Sequence, residues 1–292
     1  MIDIENIKYP AMKTVSTRLK FFCTLYIFVC VQFTLYADGG LYLFPKGARA
    51  TGMGKNGLLN FDVWSAYNNQ AALSSIENIN AGLHYENRFV MNQLGTSVGV
   101  IVLPALTGTF GFDIAHMGLE DYGETRIGAG YGKKLAKRLS LGVQFNYHLL
   151  SFTSGYPDFY AFTGEVGLIA EPMDNLYLGA HVFNPTFSRL NSRYEDPVPV
   201  IFEVGAGYKI AGKLMLSAEI EKERYDEMSP RFGIDYSLFK SMSLRSGVSL
   251  NPVEVCFGAG WVSKKLSLDF AFSHHEMLGY SPQISLSYNF GK

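Results

Sequence analysis

His274, His275 and Glu276 stand together, and imidazoles beside a carboxylate are the residue types that bind a metal ion or pass a proton. Their spacing argues against a shared site. Neighbouring residues of a strand point to opposite faces, so the two imidazoles cannot readily hold one ion. His148 and His181 fall on the polar faces of alternating segments, where a hydrogen-bonded filler is the ordinary role. No Gly-x-Ser-x-Gly turn and no Ser/His/Asp set stands out, and no Cys/His spacing fits zinc. The chain therefore reads as non-enzymatic, with no catalytic residue, no metal ligand and no cofactor.

The informative polar residues are charges that alternate with apolar ones. Arg126, Glu165, Glu203, Glu219, Arg231, Asp235, Arg245 and Asp269 all share a face with glycines or serines, as do Lys209 and Glu221. Charges kept from water must be paired, so this face implies a network of ion pairs that fills an interior. Arg49 and Lys55, far upstream, are the expected partners from outside the alternating region. A gated solute path is the sharper reading of the same residues.

The elements that carry these charges are strands. From Leu139 to Leu149, residues of odd number are aliphatic or aromatic, while Ser140, Gly142, Gln144, Asn146 and His148 are polar or glycine. Such a period of two sets one face in an apolar medium and the other against packed polar groups. The pattern recurs in about fourteen segments of roughly ten residues, the length a strand needs to cross a bilayer obliquely. Charged residues make up only 17% of the chain, with aromatics at 14% and 30 glycines. A soluble β-sandwich would carry Lys, Glu and Thr on its outer faces, whereas here the polar face is rich in glycine and serine. The expected fold is all-β, a transmembrane antiparallel barrel of about fourteen strands spanning 79–292. The near balance of 25 Lys and Arg against 26 Asp and Glu gives no field for nucleic acid.

Inner turns are expected at "PALTG", "KKLAKR", "EPMDN", "IAGK", "LFKS" and "VSKK", all short. Outer loops at "MGLEDYGE", "FTSGYPD", "NPTFSRLNSRYEDPVP", "EKERYDEMSP" and "HHEMLGYS" are mostly longer, with short ones near "NQ" and "NPVE". Tyr85, Phe89, Tyr131, Tyr147, Tyr208, Tyr236, Trp261 and Tyr288 are expected interface anchors. The stretch "SVGVIVLPALTGTFGF" has the Gly and Pro for a strand irregularity, although the same residues also make ordinary turns.

The front of the chain differs. Lys13, Arg18 and Lys20 precede the apolar run Phe21–Ala37, so 1–37 reads as a secretory signal, with Met12 as an alternative start. An N-terminal membrane anchor is the rival reading. Beyond Ala37 the only cysteine is Cys256, which leaves no internal disulfide. Residues 38–78 lack alternation. Gly47, Gly52, Gly54 and Gly57 break the start, and Asp62 is placed to cap a short helix through Ala72. This segment is expected to form a partly helical plug, in the barrel or across its mouth.

The stretch Gly47–Leu73 resembles the N-terminal segment of FadL-like outer-membrane barrels, especially their PorV/PorQ-type relatives. The matching positions are Gly47, Ala48 and Arg49, then Gly52, Met53 and Gly54, then Asp62, then Asn69, Ala71 and Leu73. Gln70 stands where the family has proline, and Ala72 where it has glycine. The resemblance implies a monomeric barrel in a Gram-negative outer membrane, with lipid and the barrel-assembly machinery as partners. It implies plug or hatch roles for Gly47, Arg49, Gly52, Gly54, Asp62 and Asn69, and an assembly signal at Tyr288 and Phe290. A PorV/PorQ-type protein assists type IX secretion and would engage exported surface proteins; this is the favoured expectation. A FadL-like protein would instead carry a small hydrophobic ligand.

Overall fold

A computed structural model describes residues 46–105, 107–119, 122–153, 157–191, 196–224 and 226–291. The signal expected over 1–37, and the first residues of 38–78, lie outside these.

The strands are β1 (Asn80–Asn87), β2 (Gly95–Ala105), β3 (Gly108–Leu119), β4 (Tyr122–Ala136), β5 (Leu139–Phe152), β6 (Phe159–Met173), β7 (Leu176–Phe183), β8 (Arg189–Asn191), β9 (Asp196–Pro197), β10 (Ile201–Ile210), β11 (Leu214–Glu223), β12 (Met228–Phe239), β13 (Met242–Ser249), β14 (Glu254–Ser263), β15 (Leu266–His275) and β16 (Gly279–Asn289). Fourteen of them pair antiparallel in chain order and close into a barrel, β16 returning to β1 from Asn80↔Asn289 to Glu86↔Gln283. The small pair β8–β9 lies apart, within the long connection between β7 and β10.

Alternation explains the closure. On β5 the side chains of Ser140, Gln144, Asn146 and His148 are buried, while Phe145 is 74% exposed on the outer surface. Ile127, Phe162, Val204, Ile234 and Phe270 extend that apolar exterior around the barrel. In water each such side chain would forfeit roughly 1.5–3 kcal/mol of burial, so this surface belongs against lipid. A closed sheet also leaves no unpaired backbone edge, which hydrocarbon requires.

The connections are asymmetric. One end of the barrel has only tight turns, such as 137–138, 174–175, 240–241 and 264–265. The other end carries the loops, of which 184–200 is longest. The connection after β1, expected to be short, instead holds two 3₁₀ turns, Arg88–Val90 and Asn92–Leu94. Phe89 sits there with its ring 5.9 Å from that of His275. Tyr85, Tyr208, Tyr236, Trp261 and Tyr288 do face outward. Of the two readings of "SVGVIVLPALTGTFGF", the ordinary turn is the one that fits: β2 and β3 pair without a shift from Thr96↔Met117 to Ala105↔Gly108. Register shifts occur instead at turn ends, between Lys134 and Ala136, Ala170 and Met173, and Ser237 and Phe239.

The segment 46–78 runs inside the barrel. It contains α1 (Ala48–Gly52), α2 (Ser65–Asn68) and a 3₁₀ turn, Gln70–Ser75. The single helix expected from Asp62 to Ala72 is broken at Asn69, which is extended at φ −157°. Local side-chain bonds cause the break. Asp62 Oδ1 accepts from Trp64 N at 3.0 Å and closes the turn before α2, while Asn69 Oδ1 accepts from Ala71 N at 3.1 Å and starts a second turn.

Candidate functional site: the barrel lumen

The glycines of the inner face are where this segment touches the wall. A Cβ on Gly142 would collide with the backbone of Gln70, and one on Gly247 with that of Gly54. Gly233 meets Met53 in the same way, and Gly258 lies in close contact with Gly52. Glycine lets two backbones approach closely, so the glycine-rich polar face is an imprint of the segment it encloses. Gly47 has φ +104° against the Trp64 ring, and Gly54 has φ +73°, conformations that a side chain would strain.

Charges hold the segment along one arc of the wall. Arg126 reaches Glu165 at 2.9 Å and Asp113 at 3.4 Å. His181 spans Glu165 and Glu203, at 3.0 and 2.9 Å. Arg231 reaches Glu221 at 2.6 Å and lies 3.7 Å from Glu203. Glu219 accepts from the backbone N–H groups of Gly57 and Leu58, at 3.1 and 3.0 Å, and Lys55 pairs with Glu254 at 2.6 Å. Nearer the turn end, Arg49 joins Asp62 and Asp235 at 3.6 and 3.0 Å, and Arg245 bridges Asp235 and Asp269 at 3.2 and 2.6 Å.

All eight lumen charges singled out from the sequence therefore point inward, in two separate chains, with Glu219 apart on backbone donors. Asp113, Glu86, Arg88 and Glu254 belong to the same interior and were missed, although Asp113 has the parity of its neighbours Gly111 and Ala115. His148 lies 2.9 Å from Thr163 as a filler. His275 shares the inward parity of Ser273, while the His274 ring meets outward Tyr280 at 4.5 Å; the two imidazoles do point apart. Among the described residues, no group of three or more His, Cys, Asp or Glu side chains is set to hold a metal ion.

The opposite arc is apolar. Val98, Val100 and Val102 on β2, with Ala115 and Met117 on β3, pack against Val63, Trp64, Ala66, Tyr67 and Leu73 of the inner segment. Thr96↔Met117 lies towards the loops and Val102↔Gly111 towards the turns, so this seam follows much of the strand height. Tyr67 marks its border with the charges, its ring 3.9 Å from the Arg126 guanidinium carbon. At the loop end, lumen-parity aromatic rings continue: Tyr122 to Phe152 at 5.6 Å and Phe152 to Phe159 at 6.0 Å. Phe183 and Ala161 there bury Val198 of the long loop.

No family model matches the chain, and no curated protein matches it. Solved structures do. The CymD monoaromatic hydrocarbon channel aligns at 13% identity over 87% of this chain and 100% of that chain, with a TM-score of 0.68. The Ralstonia pickettii toluene transporter TbuX aligns at 13% identity over 85% and 99%, with a TM-score of 0.65. A Pseudomonas aeruginosa FadL homologue aligns at 13% identity over 84% and 98%, with a TM-score of 0.62. At such identity the likeness is one of fold. The chain is an outer-membrane-type β-barrel of fourteen strands, and the barrels it resembles are channels and transporters, not enzymes.

Proposed function

We propose that the protein is a plugged channel for small hydrophobic compounds in the outer membrane of a Gram-negative bacterium. The apolar seam between the inner segment and β2–β3 carries this reading. A barrel that needed only a filled interior could use the charged arc throughout, as it does elsewhere. An apolar compound gains nothing from charges but can replace one apolar contact with another at little cost. The inner segment acts as the plug, and passage requires its apolar side to yield while its charged side stays attached. The likeness to CymD, a monoaromatic hydrocarbon channel, and to TbuX, a toluene transporter, supports the choice of ligand class.

The PorV/PorQ-type accessory role, favoured by resemblance alone, takes second place. It calls for a joined apolar patch on the loops. Met277, Leu278 and Tyr280 are exposed at the β15–β16 turn and Phe187 on the long loop, but Leu190 folds inward against the Phe183 cluster. Deletion of the gene, with accumulation of labelled toluene as the readout, separates the two. Slower accumulation with normal surface proteins supports the channel; unchanged accumulation with loss of surface proteins overturns it.

A further inference from the structure

Lys46 is fully buried in the lumen, and its ammonium has no hydrogen-bond partner. Its backbone fixes its position: Lys46 N donates to Asn68 Oδ1 at 2.8 Å, and Asn68 Nδ2 donates to Lys46 O at 2.9 Å. The nearest carboxylate is Glu86, at 3.8 Å, beyond hydrogen-bond reach, and Arg88 also approaches that carboxylate at 3.7 Å. Two more buried polar atoms flank Glu86 without partners. One is Thr96 Oγ1, directly across the β1–β2 ladder from Glu86. The other is His84 Nε2, two residues back on the same face; the ring's Nδ1 is already engaged, 2.9 Å from Ser285 Oγ.

Buried polar groups normally find partners, because each one left without costs desolvation. Three together around one carboxylate make a donor-rich spot. The spot has apolar neighbours. Thr96 pairs across the sheet with Met117 and His84 with Val98, both in the apolar seam. The Trp64 ring lies 5.5 Å from the His84 ring, and Lys46 Nζ stands 5.9 Å from the centre of the Tyr67 ring. The donors thus cap the loop end of the seam and are bordered by two aromatic rings.

We propose that Lys46, His84 and Thr96 form a head-group subsite for a small aromatic carboxylate, whose ring lies in the seam beside Trp64 and Tyr67. With Ser285 Oγ accepting from Ala48 N and its hydroxyl donating to His84 Nδ1, the imidazole N–H sits at Nε2; that N–H, the ammonium and the Thr96 hydroxyl are together a full set of donors for one carboxylate. This rests on the channel reading above and narrows it, since a bare hydrocarbon would leave all three atoms without partners.

Trp64 reports on the site directly. The chain has 2 tryptophans, and the other, Trp261, faces outward and is removed by Trp261→Phe. The experiment titrates the purified full-length W261F barrel in detergent with benzoate and with toluene, following Trp64 emission. Benzoate is expected to bind more tightly than toluene. Lys46→Met is expected to shift the benzoate-to-toluene affinity ratio by roughly tenfold towards toluene, and Lys46→Arg to restore most of it. A ratio unmoved by Lys46→Met, or toluene binding without benzoate binding, overturns the subsite and leaves buried water as the partner of these atoms. Binding of neither probe removes the channel reading with it. Heat-modifiable gel migration of each variant shows that it is folded, and Lys46→Gln repeats the measurement if Lys46→Met is not.

Discussion

Arg49 of the inner segment donates to Asp235 of β12, with 3.0 Å between Nη2 and Oδ2. The same carboxylate is held by Arg245 of β13 at 3.2 Å, so the segment and the wall share one acceptor. Seating the segment is thereby tied to the charge balance of the wall.

Arg49→Gln should loosen the seated segment by about 1–2 kcal/mol, because Asp235 keeps Arg245 while Asp62 loses its cation. Limited proteolysis of the folded barrel checks this: cleavage within 46–78 should quicken while the barrel core stays intact.

Gly247→Val should act more strongly. Its side chain would occupy the space of the Gly54 backbone, which has no rotamer to give. Overpacking of this kind costs roughly 1–3 kcal/mol or more. In planar bilayers the variant should show larger and more frequent conductance steps than the parent, with the same heat-modifiable migration.

Lys46 supplies a pH dependence. Burial outweighs the Glu86 carboxylate and lowers its pKa from the usual 10.5 to about 8. Arg88, Arg126 and Lys55 push in the same direction as burial. Between about 8 and 10.5 the unseated state binds more protons, so seating should strengthen as pH rises through that window. The full effect is on the order of 3 kcal/mol. The difference in stability between parent and Lys46→Met, measured from pH 7 to 11, should change across the window and level off on either side.

How much of this was legible in the sequence depends on what each strand meets. β5 could be read residue by residue, because lipid on one side and polar filling on the other impose a strict alternation. β2 could not. Val98, Val100 and Val102 face the inner segment while Ile101 and Leu103 face out, so the run is apolar on both faces and its alternation vanishes. The seam was hidden for that reason, although a doubly apolar strand in a barrel is itself a sign of an apolar lumen partner. Arg49 and Lys55 were expected to join the wall charges, but the sequence gives no registers, so neither Asp235 nor Glu254 could be assigned to them. The break at Asn69 depends on a side chain bonding its own backbone, which competes closely with helix and leaves no periodic trace.

Phe290 tests the closing strand. Its N–H donates to Ile79 O at 2.8 Å, and its ring lies 4.8 Å from that of Tyr288, at the edge where β16 meets β1. Phe290→Asp puts a charge on the outer surface near the bilayer boundary, and the expected result is a reduced level of assembled barrel in the membrane fraction. A normal level would mean that the aromatic end plays no part in assembly.

On the proposed channel function, apolar compounds pass along the seam between the inner segment and β2–β3. Val63 and Val100 both approach Gly82 from opposite sides of that seam. With cysteines at both positions, and Cys256 replaced by Ser, a short cleavable thiol cross-linker can lock the seam shut. The most direct measurement is the initial rate of toluene entry into vesicles carrying this variant, before and after linking. The rate should fall to the protein-free background on linking and recover when the linker is cut. An unchanged rate in fully linked protein would mean that the compound does not pass along the seam.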